Sequence, residues 1–328
     1  MAKRITADKN PNWMEIAVRF ADNIEKTNFL SKKIWKRQEF IDWFIFRVKL
    51  LGLLFDWKLI ARCYYQWKEI RNEKDHFTVI VGNEGDGKTT LSVQMSAWVA
   101  PDMVLEDICF DMEQYVNRLR LISKDYKKNK REGTDKSITI DEGGISLFSR
   151  EAMSKSNTVL AKTFMVQRFL NANVSICIPY YWGLDTMIRQ HRIKTLIIIK
   201  ERGKYECIVG KGIKILNERG KRDKDKELWR IPIPYGLFWE GDFSKPFPRT
   251  ISKDDYEKYK SKHIKKFLDD AQLEAQSVKM IKVGKLEKEF GISRETIIKE
   301  IKNEKIGGRK IGNQWFVTEK AYKQLIME

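Results

Sequence analysis

This sequence predicts an α/β fold built on a mostly parallel sheet, and three observations carry the prediction. Between residues 76 and 245, short β-branched runs alternate with longer helical patterns, as in a parallel sheet covered on both faces. The first run, residues 77–81, leads into a glycine-rich loop that opens a helix. Outside this region the alternation stops. Residues 1–75 read as a helical region and residues 281–328 as a small module of their own.

Along the chain, apolar residues first recur at helical spacing at Trp13, Ile16, Phe20 and Ile24, and again at Trp57, Ile60, Tyr64 and Trp67. Five of the ten tryptophans fall in this part, which points to core packing against the next region, with protein–protein contact as the functional alternative. Residues 39–58 are rich in Phe, Leu and Trp. Glu39, Asp42, Arg47, Lys49, Asp56 and Lys58 interrupt them, so the stretch falls well short of the roughly 18 apolar residues of a membrane span. It reads as a buried or amphipathic helix, with a surface-lying membrane helix as the less favoured option.

Strands are predicted over residues 77–81, 107–110, 137–141, 174–178 and 196–200, with helices over 89–99, 112–123 and 152–171. Glu201, Arg202 and Gly203 form the turn of a hairpin into a strand over 205–209. Residues 76–245 are thus one α/β domain. Pro246 and Pro248 open a linker over 246–280, whose residues 254–276 form a highly charged helical stretch.

The net charge of +18 favours a polyanionic partner, nucleic acid or an acidic membrane face. Two basic stretches, residues 124–136 and 217–226, read as solvated loops, with contact to a nucleic-acid backbone as the alternative. Cys63, Cys109, Cys177 and Cys207 lie far apart, so they read as reduced packing residues of an intracellular chain. His76, His191 and His263 show no ligand spacing, and the first ten residues lack an apolar signal core.

The chemistry is concentrated in Gly82, Asn83, Glu84, Gly85, Asp86, Gly87, Lys88, Thr89 and Thr90. This is a complete G-x-x-x-x-G-K-T loop between a strand and a helix, the context that makes it a phosphate-binding site. Its N–H groups form an anion nest at the positive end of the following helix. Lys88 reaches the β- and γ-phosphates, and the Thr89 hydroxyl holds Mg²⁺. The strand over residues 137–141 ends in two acids, Asp141 and Glu142. Asp141 is placed to hold the Mg²⁺ shell from the strand tip, and Glu142 to orient and deprotonate an attacking water. A transferase acting on a small molecule needs no acid at Glu142, so the pair points to ATP hydrolysis.

The loop and the acid pair together resemble the additional-strand, catalytic-glutamate class of P-loop ATPases, which includes RecA, the FtsK–HerA motors and AAA+ proteins. The resemblance covers roughly residues 77–200. It implies a RecA-like P-loop ATPase core using ATP and Mg²⁺. Within the class, Gln167 and Arg168, the run from Asn173 to Pro179, and then Leu184, Asp185, Ile188 and Arg189 resemble the FtsK–HerA branch, especially zonula occludens toxin-like proteins of filamentous phages and viral packaging ATPases. Those families end the strand with a polar sensor, where this chain has Ile178 and Pro179. The sensor is therefore Ser175 or Asn173, or is absent. The resemblance also implies a homo-oligomer, such as a hexameric ring, in which an arginine completes the neighbouring site. Arg150, Arg168, Arg189 and Arg192 are the candidates, with Arg189 and Arg192 preferred because they precede the last core strand.

In residues 281–328, Val283, Leu286 and Phe290 share a helix face, Ser293 is an N-cap, and Ile297, Ile298 and Ile301 line a second helix. A hairpin over 306–317 and a closing helix over 318–326 follow. This pattern resembles the excisionase and MerR-like winged helix-turn-helix domains. The resemblance implies that Arg294, Thr296, Lys299 and Lys302 face DNA in the major groove, while Arg309, Lys310 and Asn313 on the wing touch backbone or minor groove.

The expected function is a DNA-dependent ATPase, an oligomeric motor that translocates, packages or remodels double-stranded DNA, of phage, virus or plasmid type. The alternatives are a DNA-binding ATPase switch in replication initiation, partition or helicase loading, and a zonula occludens toxin-like membrane-associated assembly ATPase. The expected location is the cytoplasm of a bacterial, archaeal or virus-infected cell.

Overall fold

The structure is a computed structural model that describes residues 11–124, 136–141, 168–220, 228–277, 280–303, 306–311 and 313–318. Two compact units divide the chain, residues 1–257 and residues 258–328.

The first unit begins with α1 (Trp13–Lys26), α2 (Arg37–Leu51) and α3 (Trp57–Arg71). Asn12 caps α1 by accepting from the Glu15 N–H at 3.2 Å. Asp56 caps α3 with one carboxylate oxygen and accepts from the Tyr205 hydroxyl at 2.6 Å with the other. Gly52 ends α2 at φ 65°, a left-handed conformation that favours glycine.

Alternation follows: β1 (His76–Val81), α4 (Lys88–Val99), β2 (Ile108–Cys109), α5 (Met112–Lys124), β3 (Ser137–Ile140), β4 (Asn173–Ile178), α6 (Thr186–His191), β5 (Thr195–Glu201), β6 (Lys204–Val209), α7 (Lys211–Gly220) and β7 (Phe238–Asp242). The five predicted strands and the hairpin are present, each within two residues of its expected bounds. Of the helix predicted over 152–171, only residues from 168 onward are described.

The sheet order is β2-β3-β4-β1-β5-β6-β7. Strands β2, β3, β4, β1 and β5 run parallel, and β6 and β7 add an antiparallel edge. The fold is therefore α/β with a mostly parallel, seven-stranded mixed sheet. Strand β4 lies between β1 and β3, in register with both: Thr78 and Thr139 each pair with Ser175. Every residue of β1 and β4 is buried, as expected of central parallel strands.

Alternation along each strand divides two apolar layers. Ile80, Cys177, Ile197, Ile199 and Cys207 face a core shared with α1, α2, α3 and α4. Phe77, Val79, Val174, Ile176, Leu196 and Ile198 face a second core filled by α5, α6 and α7. The N-terminal helices thus contribute to the same core as the sheet. The Trp43 ring centre lies 5.3 Å from that of Trp98 of α4, tilted against it, and 5.3 Å from that of Tyr64 of α3, edge to face. Arg47 of α2 donates to the Trp98 carbonyl at 2.6 Å while lying over the Trp43 ring at 4.8 Å. The tryptophans of this region pack in or against the core. Among the described residues, no helix is long and apolar enough to cross a membrane. The apolar side chains Phe40, Ile41, Phe44, Val48 and Leu51 of α2 are buried in the protein.

A long helix, α8 (Lys253–Ser277), leaves the first unit. The second unit holds β8 (Met280–Lys282), α9 (Val283–Phe290), α10 (Arg294–Lys302), β9 (Gly308–Ile311) and β10 (Gln314–Thr318). Its sheet order is β8-β10-β9. Val283, Leu286, Ile297, Ile301 and Val317 form its core. Gly291 ends α9 at φ 66°, and the Ser293 side chain accepts from the Thr296 N–H at 3.2 Å. The closing helix predicted over 318–326 lies outside the described residues from 319 onward.

Candidate functional site

The glycine loop follows the carboxyl end of β1, where the chain turns sharply before α4. Gly85 and Gly87 take φ 80° and 96°, which L side chains rarely adopt. Gly82 passes so close to β5 that an added Cβ would lie 3.0 Å from the Ile199 Cβ. Asn83 and Asp86 close the loop tip: the Asp86 carboxylate accepts from the Asn83 N–H at 3.1 Å. Lys88 folds back inside, its Nζ donating to the carbonyls of Gly82 at 2.8 Å and Asn83 at 2.6 Å. Its charge is therefore held within the loop, beside the first N–H groups of α4, which have no acceptor inside the helix.

Parallel pairing brings the second half of the site to the same end of the sheet. Asp141 follows β3 and is buried, and its N–H donates to the Cys109 carbonyl at 2.8 Å. The Thr89 hydroxyl donates to Asp141 Oδ1. The Tyr256 hydroxyl, from the first turn of α8, donates to Asp141 Oδ2 at 2.8 Å. Burial, and after it the Asp141 carboxylate, push the Tyr256 phenol far above its ordinary pKa, so it stays a donor. Phosphate and Mg²⁺ suit this arrangement. The cation would meet the hard oxygens of Thr89 and Asp141 and keep several waters, and the phosphates would meet Lys88 and the loop N–H groups.

Beneath the loop, hydroxyls join α4 to the sheet. Ser92 Oγ lies 2.5 Å from Ser175 and 3.1 Å from Thr139, and Ser96 Oγ lies 3.0 Å from Thr139. All four are buried, and their mutual bonds satisfy groups that would otherwise cost free energy in an apolar layer. Ser175, one of the two polar sensor candidates, is engaged in this cluster. The other, Asn173, donates to Ser137 at 2.7 Å near the start of the strand. Ile178 is fully buried in the α5 layer.

Arg189 and Arg192 lie on and just after α6, before β5, away from the loop end of the sheet. Arg192 pairs with Asp75 at 2.6 Å. Arg189 donates to the Leu184 carbonyl at 2.9 Å and lies 5.2 Å from the Trp182 ring centre. Both therefore have partners within the chain. Arg168 is exposed. Glu142 and Arg150 lie outside the described residues, as do most of the basic stretches over 124–136 and 217–226.

A further buried cluster sits at the start of β1 and β5. Arg62 donates to Thr195 at 2.8 Å and to the Lys194 carbonyl at 3.0 Å, beside His76. Burial first and then Arg62 hold His76 well below its ordinary pKa, in the neutral form. The four cysteines are buried and outside any disulfide, and burial pushes the Cys109 thiol up to about 12. Among the described residues, no group of three or more His, Cys, Asp and Glu side chains could hold a metal ion by itself.

In the second unit, Arg294, Thr296, Lys299 and Lys302 are exposed on α10, and Lys310 is exposed on β9. The Thr296 hydroxyl is 2.8 Å from Ser293, so it serves the helix start. Lys302 lies 5.9 Å from the Trp315 ring centre. Arg309 is on β9, and Asn313 is exposed in the turn before β10. The residue that sequence reasoning missed is Tyr256. It falls in a charged stretch whose helical pattern signals no site, where Tyr259 and Phe267 are aromatic as well.

No protein-family profile matches the chain, and no curated protein gives a significant match.

Proposed function

We propose that this chain is a Mg²⁺-dependent ATPase of the additional-strand, catalytic-glutamate P-loop class, with a RecA-like core, and that its work is done on DNA. The observation that carries the nucleotide reading is the Thr89–Asp141 hydrogen bond. It joins the first turn of α4, at the end of the loop motif, to an acid at the tip of β3, two groups 52 residues apart in sequence. The position of β4, between β1 and β3, supports the class, because an interposed strand is its defining feature.

In this reading, Lys88 and the loop N–H groups bind the phosphates. Thr89 and Asp141 hold Mg²⁺, which when bound neutralises charge on the phosphate oxygens. Glu142, the residue after Asp141, orients the attacking water and accepts its proton. Glu142→Gln keeps the side-chain shape and removes the base. The expected result is ATP binding within about threefold of wild type and a turnover number lowered on the order of 10²-fold or more. Filter binding and single-turnover phosphate release measure the two quantities. Near-normal turnover would remove the role assigned to Glu142.

The DNA reading rests on the second unit. Two helices joined by a tight turn, then a hairpin, fit a winged helix-turn-helix module. Arg294, Lys299 and Lys302 on exposed positions of α10 are suited to the major groove, and Arg309 and Lys310 to the backbone beside the wing. The net charge of +18 adds a sequence-independent attraction. We take the working form to be a homo-oligomer that translocates, packages or remodels duplex DNA, in which a ring would add avidity to a small DNA-binding module.

A further inference from the structure

After β7 the chain crosses the loop end of the sheet before α8 begins, and it is tied down at each step. The Phe243 N–H donates to the Gly203 carbonyl at 2.8 Å, and the Phe243 ring lies 3.4 Å from where a Cβ on Gly87 would stand. Gln94 of α4 donates to the Ser244 carbonyl at 2.9 Å and to the Pro246 carbonyl. The Arg249 N–H donates to the Leu51 carbonyl at 2.8 Å, and Ile251 is buried. These ties deliver Tyr256 to Asp141. Tyr256 is 4% exposed, its ring centre 5.0 Å from that of Phe247 and 6.3 Å from that of Phe110.

A carboxylate turns easily about its terminal torsion, which has broad preferences. Asp141 does not have that freedom, because Thr89 donates to one oxygen and Tyr256 to the other. A carboxylate has roughly four acceptor positions, so the bonds from Thr89 and Tyr256 orient Asp141 without by themselves filling it. We propose that Tyr256 is a positioning residue for the metal: by holding Asp141 Oδ2, it sets the orientation in which that carboxylate receives Mg²⁺. The assignment rests on the ATPase reading above and adds a residue that neither the loop nor the acid pair contains. Partners that orient the side chains of a metal site commonly contribute 10- to 100-fold to metal affinity.

Tyr256→Phe keeps the ring and its packing and removes the hydroxyl. The test uses the full chain and a fluorescent ATP analogue, with binding followed at fixed nucleotide as Mg²⁺ is titrated. For Tyr256→Phe, the Mg²⁺ midpoint should rise about tenfold or more, while nucleotide affinity in EDTA stays within about twofold. Phe247→Leu serves as the comparison, since it disturbs the packing around Tyr256 but keeps the hydroxyl. A packing role would move the melting temperature in both variants and the Mg²⁺ midpoint in neither. A wild-type response to Mg²⁺ with an unmoved midpoint in Tyr256→Phe, or an equal shift in Phe247→Leu, overturns the assignment and leaves the ATPase reading standing. Wild-type binding that is indifferent to Mg²⁺ overturns both.

Discussion

Lys88→Ala is expected to lower ATP affinity by at least about 100-fold and to abolish measurable turnover. The size of the effect follows from where the ammonium sits. It is held by two loop carbonyls at 2.8 and 2.6 Å, beside the start of α4. An anion entering the loop meets a fixed positive charge and a set of N–H groups aimed the same way. Alanine removes the charge and leaves the phosphates facing those carbonyl oxygens with no cation between them. Lys88 is only part-buried, so its truncation should leave the melting temperature within about 2 °C of wild type, as for most substitutions away from the core. Equilibrium binding of a labelled ATP analogue, with thermal unfolding as the control, makes the measurement. Affinity within about threefold of wild type would mean that the loop is not a phosphate site.

Trp98→Ala destabilises the first unit by about 3–5 kcal/mol. Trp98 is fully buried near the end of α4, with ring centres 5.3 Å from Trp43, 5.7 Å from Phe44 and 6.1 Å from Phe55. Truncation opens a cavity where the N-terminal helices meet the helix of the glycine loop. The melting temperature should fall on the order of 10 °C. Trp98→Phe should cost less. It keeps an aromatic ring, and the indole N–H that it removes is buried without a partner among the described residues. A fall of less than about 2 °C for Trp98→Ala would show that α1, α2 and α3 do not share a load-carrying core with α4.

Much of the fold was legible because the central strands are buried on both faces. Residues such as Val79, Ile80, Ile176 and Ile197 form β-branched runs that periodicity and turn signals both mark. The glycine loop was legible for a different reason: its backbone needs glycine at Gly85 and Gly87 whatever the rest of the chain does. Helical spacing around Trp13 and Trp67 announced apolar faces, but spacing alone cannot say which residues a face packs against. The tryptophans pointed to core packing against the next region, and the fold adds which strands and helices share that core. Ser175 shows a related limit. As a polar residue in an apolar strand it was a reasonable sensor candidate, yet pleating turns it toward Ser92 and Thr139. Tyr256 reaches Asp141 across 115 residues of sequence. No local pattern encodes such a contact, since it depends on the strap that carries α8 back to the sheet.

The proposed nucleotide site lies in one unit and the proposed DNA-binding module in the other, and one measurement tests their union most directly. Steady-state ATP hydrolysis by the purified full-length chain is recorded in Mg²⁺, with and without duplex DNA, at low and moderate salt. The expected result is hydrolysis that requires Mg²⁺, is lost in Lys88→Ala, and rises several-fold with duplex DNA, the stimulation fading as salt displaces the protein from the phosphates. Mg²⁺-dependent hydrolysis that is indifferent to DNA at every salt concentration would contradict it.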